Sequence, residues 1–263
     1  MNLDIGNILK NWPYEPGEVS ARRIRGADGK DKIQLRLDMG LLQMEVDGRP
    51  DGARPNGFES LLEYYEHQRR RQVHADGSES FELDEKACEL LRAEGMMYYH
   101  RYLAQFVLED YEAVERDTMR NLRVMDLCAR YAKDPSDRFF LEQYRAYVLM
   151  MCARARARMA VRDKRPKAAL AAVQRGMDAI QAYYKRMAQE EAIGSSTELA
   201  ILRAMAHEIQ ARIPVDPLRR LRDQLEQAVK DERYEEAAKL RDRLDRMARR
   251  RAKPRKSDTA SEP

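Results

Sequence analysis

The residues that could do chemistry in this chain are few and scattered. His207-Glu208 opens as a zinc-protease helix would, but Ile209-Gln210-Ala211 follows, so the second histidine is missing. The other histidines, His67, His74 and His100, fall in separate segments. Glu94, Glu109 and Glu115 could pair with something across a helical bundle. A di-iron site would also need Glu-x-x-His on two helices, and that pair does not occur. The loop Asp47–Gly57 carries two Arg-Pro steps able to meet an anion, yet it lacks the Gly-Lys-Ser/Thr ending of a phosphate loop and reads as a connector. Cys88, Cys128 and Cys152 show no paired spacing and sit among apolar neighbours, so buried thiols in a reducing compartment are expected. The expectation is a protein that is not an enzyme, with no cofactor and no metal.

Charge offers a second kind of chemistry. Arg154, Arg158, Arg162 and Arg165 are spaced four, four and three, so they align on one helix face. That face is either solvated and answered by acids on a neighbour, or a groove for an acidic peptide or a nucleic-acid backbone. Arg249, Arg250 and Arg251 begin a tail with six basic residues and two acids, which accounts for the whole net charge of +4. Phosphate attraction, if any, belongs to that tail and the arginine face, not to a polycationic body. Residues 249–263 read as a basic, disordered tail.

The most informative stretch lies between Val215 and Met247. Leu218, Leu221, Leu225 and Ala228 recur at helical spacing, and Ala237, Leu240, Leu244 and Met247 do so again after a charged break at Lys230-Asp231-Glu232-Arg233. Asp216 and Pro217 suit an N-cap and a first helical turn. Two amphipathic helices around so short a connection fold back antiparallel. Tyr234 stands where it can cover the hairpin end. Glu235–Lys239, Arg241–Asp245 and Asp242–Arg246 are oppositely charged at i,i+4, each worth roughly 0.2–0.5 kcal/mol.

The run Tyr234-Glu235-Glu236-Ala237-Ala238-Lys239-Leu240-Arg241-Asp242 resembles the core of the UVR domain, the module shared by UvrB, UvrC and some Clp chaperones and their partners. Leu218, Leu221, Leu225, Ala228, Glu235, Ala237, Ala238, Leu240, Arg241, Asp242 and Leu244 fit the pattern. Tyr234 replaces the usual Phe and keeps the ring. The resemblance covers this hairpin alone. It implies a protein–protein contact, in UvrB and UvrC between like hairpins, and a bacterial setting in excision repair or Clp-type proteolysis. Zinc-binding CxxC pairs, found in the UVR-bearing activator of the protein arginine kinase, are absent. A hairpin of this size buries too little apolar surface to stand alone. It must pack on its own chain, on a second copy or on a partner.

The remaining elements can be read in order. Residues 1–80 hold an arm with the single Trp12, read as its anchor on the domain, then a small antiparallel sheet. Ile33, Leu35, Leu37, Leu42, Met44 and Val46 should form its apolar face, covered by the next helix, Phe58 to Val73. Residues 81–213 read as a helical bundle. Helices run from Asp84 to about Leu108, on to about Ala132, from a Ser136 cap to about Arg162, to about Gly194, and to Ile213. The junctions at Leu108–Val114 and Arg162–Leu170 look alike and loosely resemble tetratricopeptide helix pairs. The class is therefore mainly α, with a small N-terminal antiparallel sheet, a helical bundle and a C-terminal helical hairpin at 215–248. With 36% charged residues and no apolar run near the ~20 needed for a bilayer, no membrane contact is expected. Met1-Asn2-Leu3-Asp4 lacks the features of a secretory leader, and a cytoplasmic location is expected. Two functions remain open: a protein-interaction module whose hairpin packs on a partner helix through Leu218, Leu221, Leu225, Tyr234, Ala237, Leu240 and Leu244, with Glu235, Ala238, Arg241 and Asp242 beside them, or a nucleic-acid-associated protein using the tail and the arginine face.

Overall fold

The computed structural model describes residues 4–72, 80–213 and 217–252, and side chains throughout these except at 217–219 and 248–252. The chain divides into two compact units, Met1–Gln210 and Ala211–Pro263.

The first unit opens with a short helix, α1 (Gly6–Leu9), and three strands, β1 (Ala21–Arg25), β2 (Asp31–Leu37) and β3 (Gly40–Glu45), in antiparallel order β1-β2-β3. The register sets Ile33 opposite Met44 and Leu35 opposite Leu42, so one face is apolar. The other face is polar but covered. Lys32 and Gln34 are buried there, and Gln34 bonds Arg22 and Gln43. Trp12 does anchor the arm. Its indole donates to Ser20 Oγ at 2.6 Å, its carbonyl accepts from Arg36, and Arg22 lies 4.2 Å over its ring.

The cover of the apolar face differs from expectation. Ile33, Leu35 and Met44 pack on Ala104 and Leu108, so it is α3 (Glu85–Val107), not the next helix in sequence, that closes the sheet. α2 (Leu61–Arg71) starts after its Ser60 cap, so its first residue is three beyond Phe58. It turns Leu61, Leu62 and Tyr65 to a separate core with Leu83, Cys88, Leu91 and Cys128. Phe58 instead sets its ring beside Tyr64 and His67. Leu37, the last residue of β2, is partly exposed rather than in the face.

The helices follow their capping residues closely. Asp84 caps α3 and Asp110 caps α4 (Tyr111–Tyr131). After Lys133, the cap is Asp134, with Pro135 at the first helical position, not Ser136. The long helix expected from there to Arg162 is broken into α5 (Pro135–Phe140), a 3-10 turn at Glu142–Tyr144, and α6 (Arg145–Arg162). α7 (Pro166–Arg186), α8 (Ala192–Ser195) and α9 (Thr197–Arg212) complete the body. α6 and α7 meet on a seam of small residues. A Cβ on Gly176 would lie 2.3 Å from Ala153 Cβ, so only glycine permits that approach.

The second unit is α10 (Pro217–Lys230) and α11 (Tyr234–Ala252), packed along each other as a hairpin. Its corner repeats two corners of the body. Glu109, Lys164 and Glu232 all take left-handed φ, at 59°, 57° and 58°. In each, the next N–H bonds the carbonyl five residues back: Asp110 to Gln105, Arg165 to Ala160, Arg233 to Ala228, at 2.8–2.9 Å. This is a Schellman ending without its usual glycine. The next residue but one then starts the following helix. The residues flanking the turn at matching positions are buried on both sides: Gln105 and Val114, Ala160 and Ala169, Ala228 and Ala237. The likeness of the junctions at Leu108–Val114 and Arg162–Leu170 is therefore a shared backbone turn, and the hairpin shares it too.

Four charged side chains lie deep between α3 and α4. Arg101 and Asp117, 1% and 0% exposed, form a two-bond pair at 2.7 and 2.9 Å. Arg101 also donates to the Glu45 carbonyl, and Arg116 bonds Asp117 and the Val46 carbonyl. Glu94, fully buried, accepts the Leu61 N–H and contacts Arg49 and Arg120. Tyr98 is flanked by both Arg101 and Arg120 over its ring.

Two stability predictions follow from this packing. Asp117→Ala leaves Arg101 buried and unpaired, so a denaturant melt should show a loss of about 3–5 kcal/mol, and Arg101→Met in the same chain should recover a large part of it. Leu35→Asp places a charge under α3 and should cost several kcal/mol by the same melt. A neutral result for Leu35→Asp would mean that the sheet face is not closed in solution.

Candidate functional site

The hairpin sorts its sequence-marked residues into two sets. Leu221 and Ala237 are buried, with Ala228, and Leu225, Leu240 and Leu244 are half-buried with Met247. These form one stripe on each helix, the spacing of a packed seam. Tyr234, Glu235, Ala238, Arg241 and Asp242 are exposed. Leu218 lies in α10, and its side chain is outside the described set. The paired alanines thus divide. Ala237 is used at the corner, as Ala169 is in the body, whereas Ala238 presents a bare methyl outward.

Tyr234 does not cover the hairpin end. It is 68% exposed, and Val229 is exposed beside the same turn. The first body corner shows what these positions do when covered. There Phe106 and Tyr111, at the places of Val229 and Tyr234, meet ring to ring at 5.5 Å, and Arg154 lies 4.3 Å over Phe106. The hairpin carries the same two apolar positions without such a lid.

Charge at the corner is arranged locally. Arg233 pairs with Asp231 at 2.8 Å and Glu236 at 2.6 Å, which raises its guanidinium pKa further above the usual range, and Lys230 pairs with Glu226. The three expected i,i+4 pairs on α11 are not among them. Arg246 donates to the Asp242 carbonyl instead, so the Asp242 carboxylate keeps its outward lone pairs.

Residues 216–249 match the UVR family, the UvrB/uvrC motif. The hairpin carries a UVR motif. No curated protein and no solved structure matches the chain. The motif spans α10, the corner and most of α11, so its Glu-Glu-Ala-Ala core falls where the structure splits inward Ala237 from outward Ala238.

Only Arg154, Arg158 and Arg162 of the expected arginine face lie on α6; the left-handed turn at Lys164 puts Arg165 beyond it, as the cap of α7. Arg162 pairs with Glu112 of α4, whose carboxyl it holds below the usual range, and Arg165 pairs with Asp163. Arg154 is half-buried over Phe106, and burial lowers its pKa. Neither Arg154 nor Arg158 has an ion pair among the described residues. Arg156, off that stripe, pairs with Glu115, an acid marked in the sequence as seeking a partner across the bundle. Glu94 finds Arg49 and Arg120, whereas Glu109 serves as the left-handed residue of a corner. Arg249, Arg250 and Arg251 lie in the last turns of α11 with side chains outside the described set. The expected disordered tail lies, from residue 253, outside the described residues. Among the described residues no helix is long and apolar enough to cross a membrane.

Glu232 holds its left-handed turn without the freedom of glycine, at roughly 1 kcal/mol. Glu232→Gly should therefore strengthen the hairpin by roughly 0.5–1 kcal/mol. Slower hydrogen exchange at the Arg233 N–H would register it. Faster exchange would mean that the glutamate side chain, not the backbone, maintains the corner.

Proposed function

We propose that this chain is a non-enzymatic interaction protein whose UVR hairpin docks another protein, or a second copy, through its outer face. The observation that carries the reading is the uncovered corner. Val229 and Tyr234 occupy positions that are covered in the body, and they adjoin Ala238, the one small residue of the motif's pair that faces outward. A helix laid over Ala238 approaches α11 closely, contacts Tyr234 one turn back and meets the Asp242 carboxylate one turn on. The inward stripe of Leu221, Leu225, Ala237, Leu240 and Leu244 keeps the hairpin in shape for that contact. The motif's occurrence in repair proteins and Clp partners supports a setting in nucleotide excision repair or Clp-type proteolysis, in the cytoplasm of a bacterium.

The nucleic-acid reading loses most of its support in the body, because Arg162 and Arg165 have acidic partners and Arg154 covers a ring. It rests on Arg249, Arg250, Arg251 and the tail. Salt-dependent retardation of DNA or RNA by the full chain, lost on removing residues 249–263, would favour it.

The direct test is Ala238→Arg in the full chain. The guanidinium would stand in the contact and lose water there. The expected outcome is loss of association, read by pull-down from cell extract and by sedimentation, with the melting temperature unchanged. A lowered melting temperature would show that the neighbour of Ala238 is the chain's own body. Unchanged association and unchanged melting would overturn the outer face as a docking surface.

A further inference from the structure

The first unit contains a cleft of ≈ 670 Å³ that neither the motif nor the hairpin uses. It opens between α3, α4, the broken segment Leu141–Tyr144, and α6, with Glu198 of α9 at its edge. The break itself creates the rim. Glu142 turns away to pair with Arg145 and Arg186, and its carbonyl accepts the Tyr183 hydroxyl. This leaves Phe140 and Tyr144 half-exposed over the opening. A volume of this size is that of a small-molecule site.

The walls are aromatic. Tyr99 meets Tyr102 at 5.5 Å with rings perpendicular, and Tyr147 at 6.2 Å with rings tilted 58°. Tyr99 and Tyr147 are only half-buried and line the cleft, and aromatic surface of that kind can hold an organic cation. The rim already shows that chemistry, with Arg92 lying 4.7 Å over the Phe140 ring while paired with Asp137. Tyr102, 1% exposed, backs Tyr99 at the cleft wall. Burial pushes the Tyr147 phenol up to about 12, so it stays neutral and keeps its ring quadrupole at physiological pH.

The charges at the edge favour one sign. Arg92 is neutralised by Asp137, and Glu89 by Lys86. Glu198 meets only the Ser196 hydroxyl and no cation among the described residues. We propose that this cleft binds a small organic cation, an ammonium or quaternary ammonium group on an apolar or aromatic body, with Tyr99 and Tyr147 against the charge and Glu198 facing it.

The probes are benzyltrimethylammonium, benzyl alcohol and phenylacetate, titrated into the full chain by calorimetry and by shifts of tyrosine ring resonances. The cation should bind saturably, the alcohol at least roughly tenfold more weakly, and phenylacetate not at all. Tyr99→Leu should weaken the cation roughly tenfold, while Tyr99→Phe, which keeps the ring, should leave it within about twofold. Glu198→Gln, at a half-exposed edge position that leaves the fold intact, should weaken the cation and narrow its preference over the alcohol. Absence of saturable binding, equal binding of all three probes, or a cation affinity unmoved by Glu198→Gln would each overturn the proposal. Loss of binding in both Tyr99→Leu and Tyr99→Phe would also overturn the π-face as the source of affinity.

Discussion

The Arg101–Asp117 pair holds the non-helical part of this protein to its helices. Its two bonds run between α3 and α4, but its spare donors run elsewhere. Arg101 reaches the Glu45 carbonyl at the end of β3, and Arg116, drawn in by Asp117, reaches the Val46 carbonyl. Glu94 does the same two turns back along α3, taking the Leu61 N–H at the start of α2 and Arg49 from the loop. Desolvating such groups costs several kcal/mol each, repaid only when every donor and lone pair is met. A sheet shifted by one residue would leave Arg101 without its carbonyl and flip the apolar face to solvent. The pairing therefore selects the register, and the apolar contact with Ala104 and Leu108 supplies the burial. This is also why α2 need not cover the sheet. Its first N–H is fixed by Glu94, which aims its leucines at the other core.

Much of the helical layout was legible because local chemistry decides it. Asp84 and Asp110 name their own helix starts, and Pro166 marks the start of α7. The break at Leu141–Tyr144 has no glycine or proline, and its cause is tertiary. Glu142 leaves the helical path for Arg145 and Arg186, which lie 3 and 44 residues on. Sequence periodicity cannot see a partner that distant. Glu94 and Glu115 were recognisable as acids in search of partners, whereas Arg101 and Asp117 were not. In a chain with 36% charged residues, a charge on a helix looks like part of a solvated face. The signal was present in the spacing. Asp117 sits between Val114 and Asn121 on the buried stripe of α4, and Arg101 follows Tyr98 by three on that of α3. A charge on an apolar stripe is a buried pair in waiting.

The hairpin was legible as a hairpin and less so as a surface. Its leucine spacing and charged break gave two helices, and the motif residues fell inside them. Which of Ala237 and Ala238 faces in depends on the corner, where a left-handed Glu232 rotates the start of α11. No glycine announces that turn, and its twins at Glu109 and Lys164 lack glycine as well. The likeness among the three is carried instead by small or buried residues nine apart, Ala160 and Ala169, Ala228 and Ala237. Tyr234 was read as a lid for its own hairpin because a ring at a helix start usually packs. The partner ring that would receive it, Phe106 in the first corner, is only Val229 here.

Magnitudes set a condition on any partner of the outer face. Covering what remains exposed of Val229 and Tyr234 contributes on the order of 2–4 kcal/mol. Bringing two molecules together costs roughly 4 kcal/mol or more before any contact counts. The corner alone therefore holds nothing, and the contact must extend along α11. The stripe that extends it is Tyr234, Ala238 and Asp242, one turn apart each, with Glu235 and Arg241 alongside. It offers a ring, a low spot and a carboxylate in succession. A partner helix with a bulky apolar residue over Ala238 and a cation near Asp242 would match it in shape and sign. A second copy of the same stripe, laid antiparallel, would set Ala238 against Ala238 and each Tyr234 beside the other chain's Asp242. That gives close approach, with the Tyr234 hydroxyl able to donate to the carboxylate, but the copy brings neither a bulky residue to fill the low spot at Ala238 nor a cation to meet Asp242. On this ground the outer face suits a different helix better than its own copy.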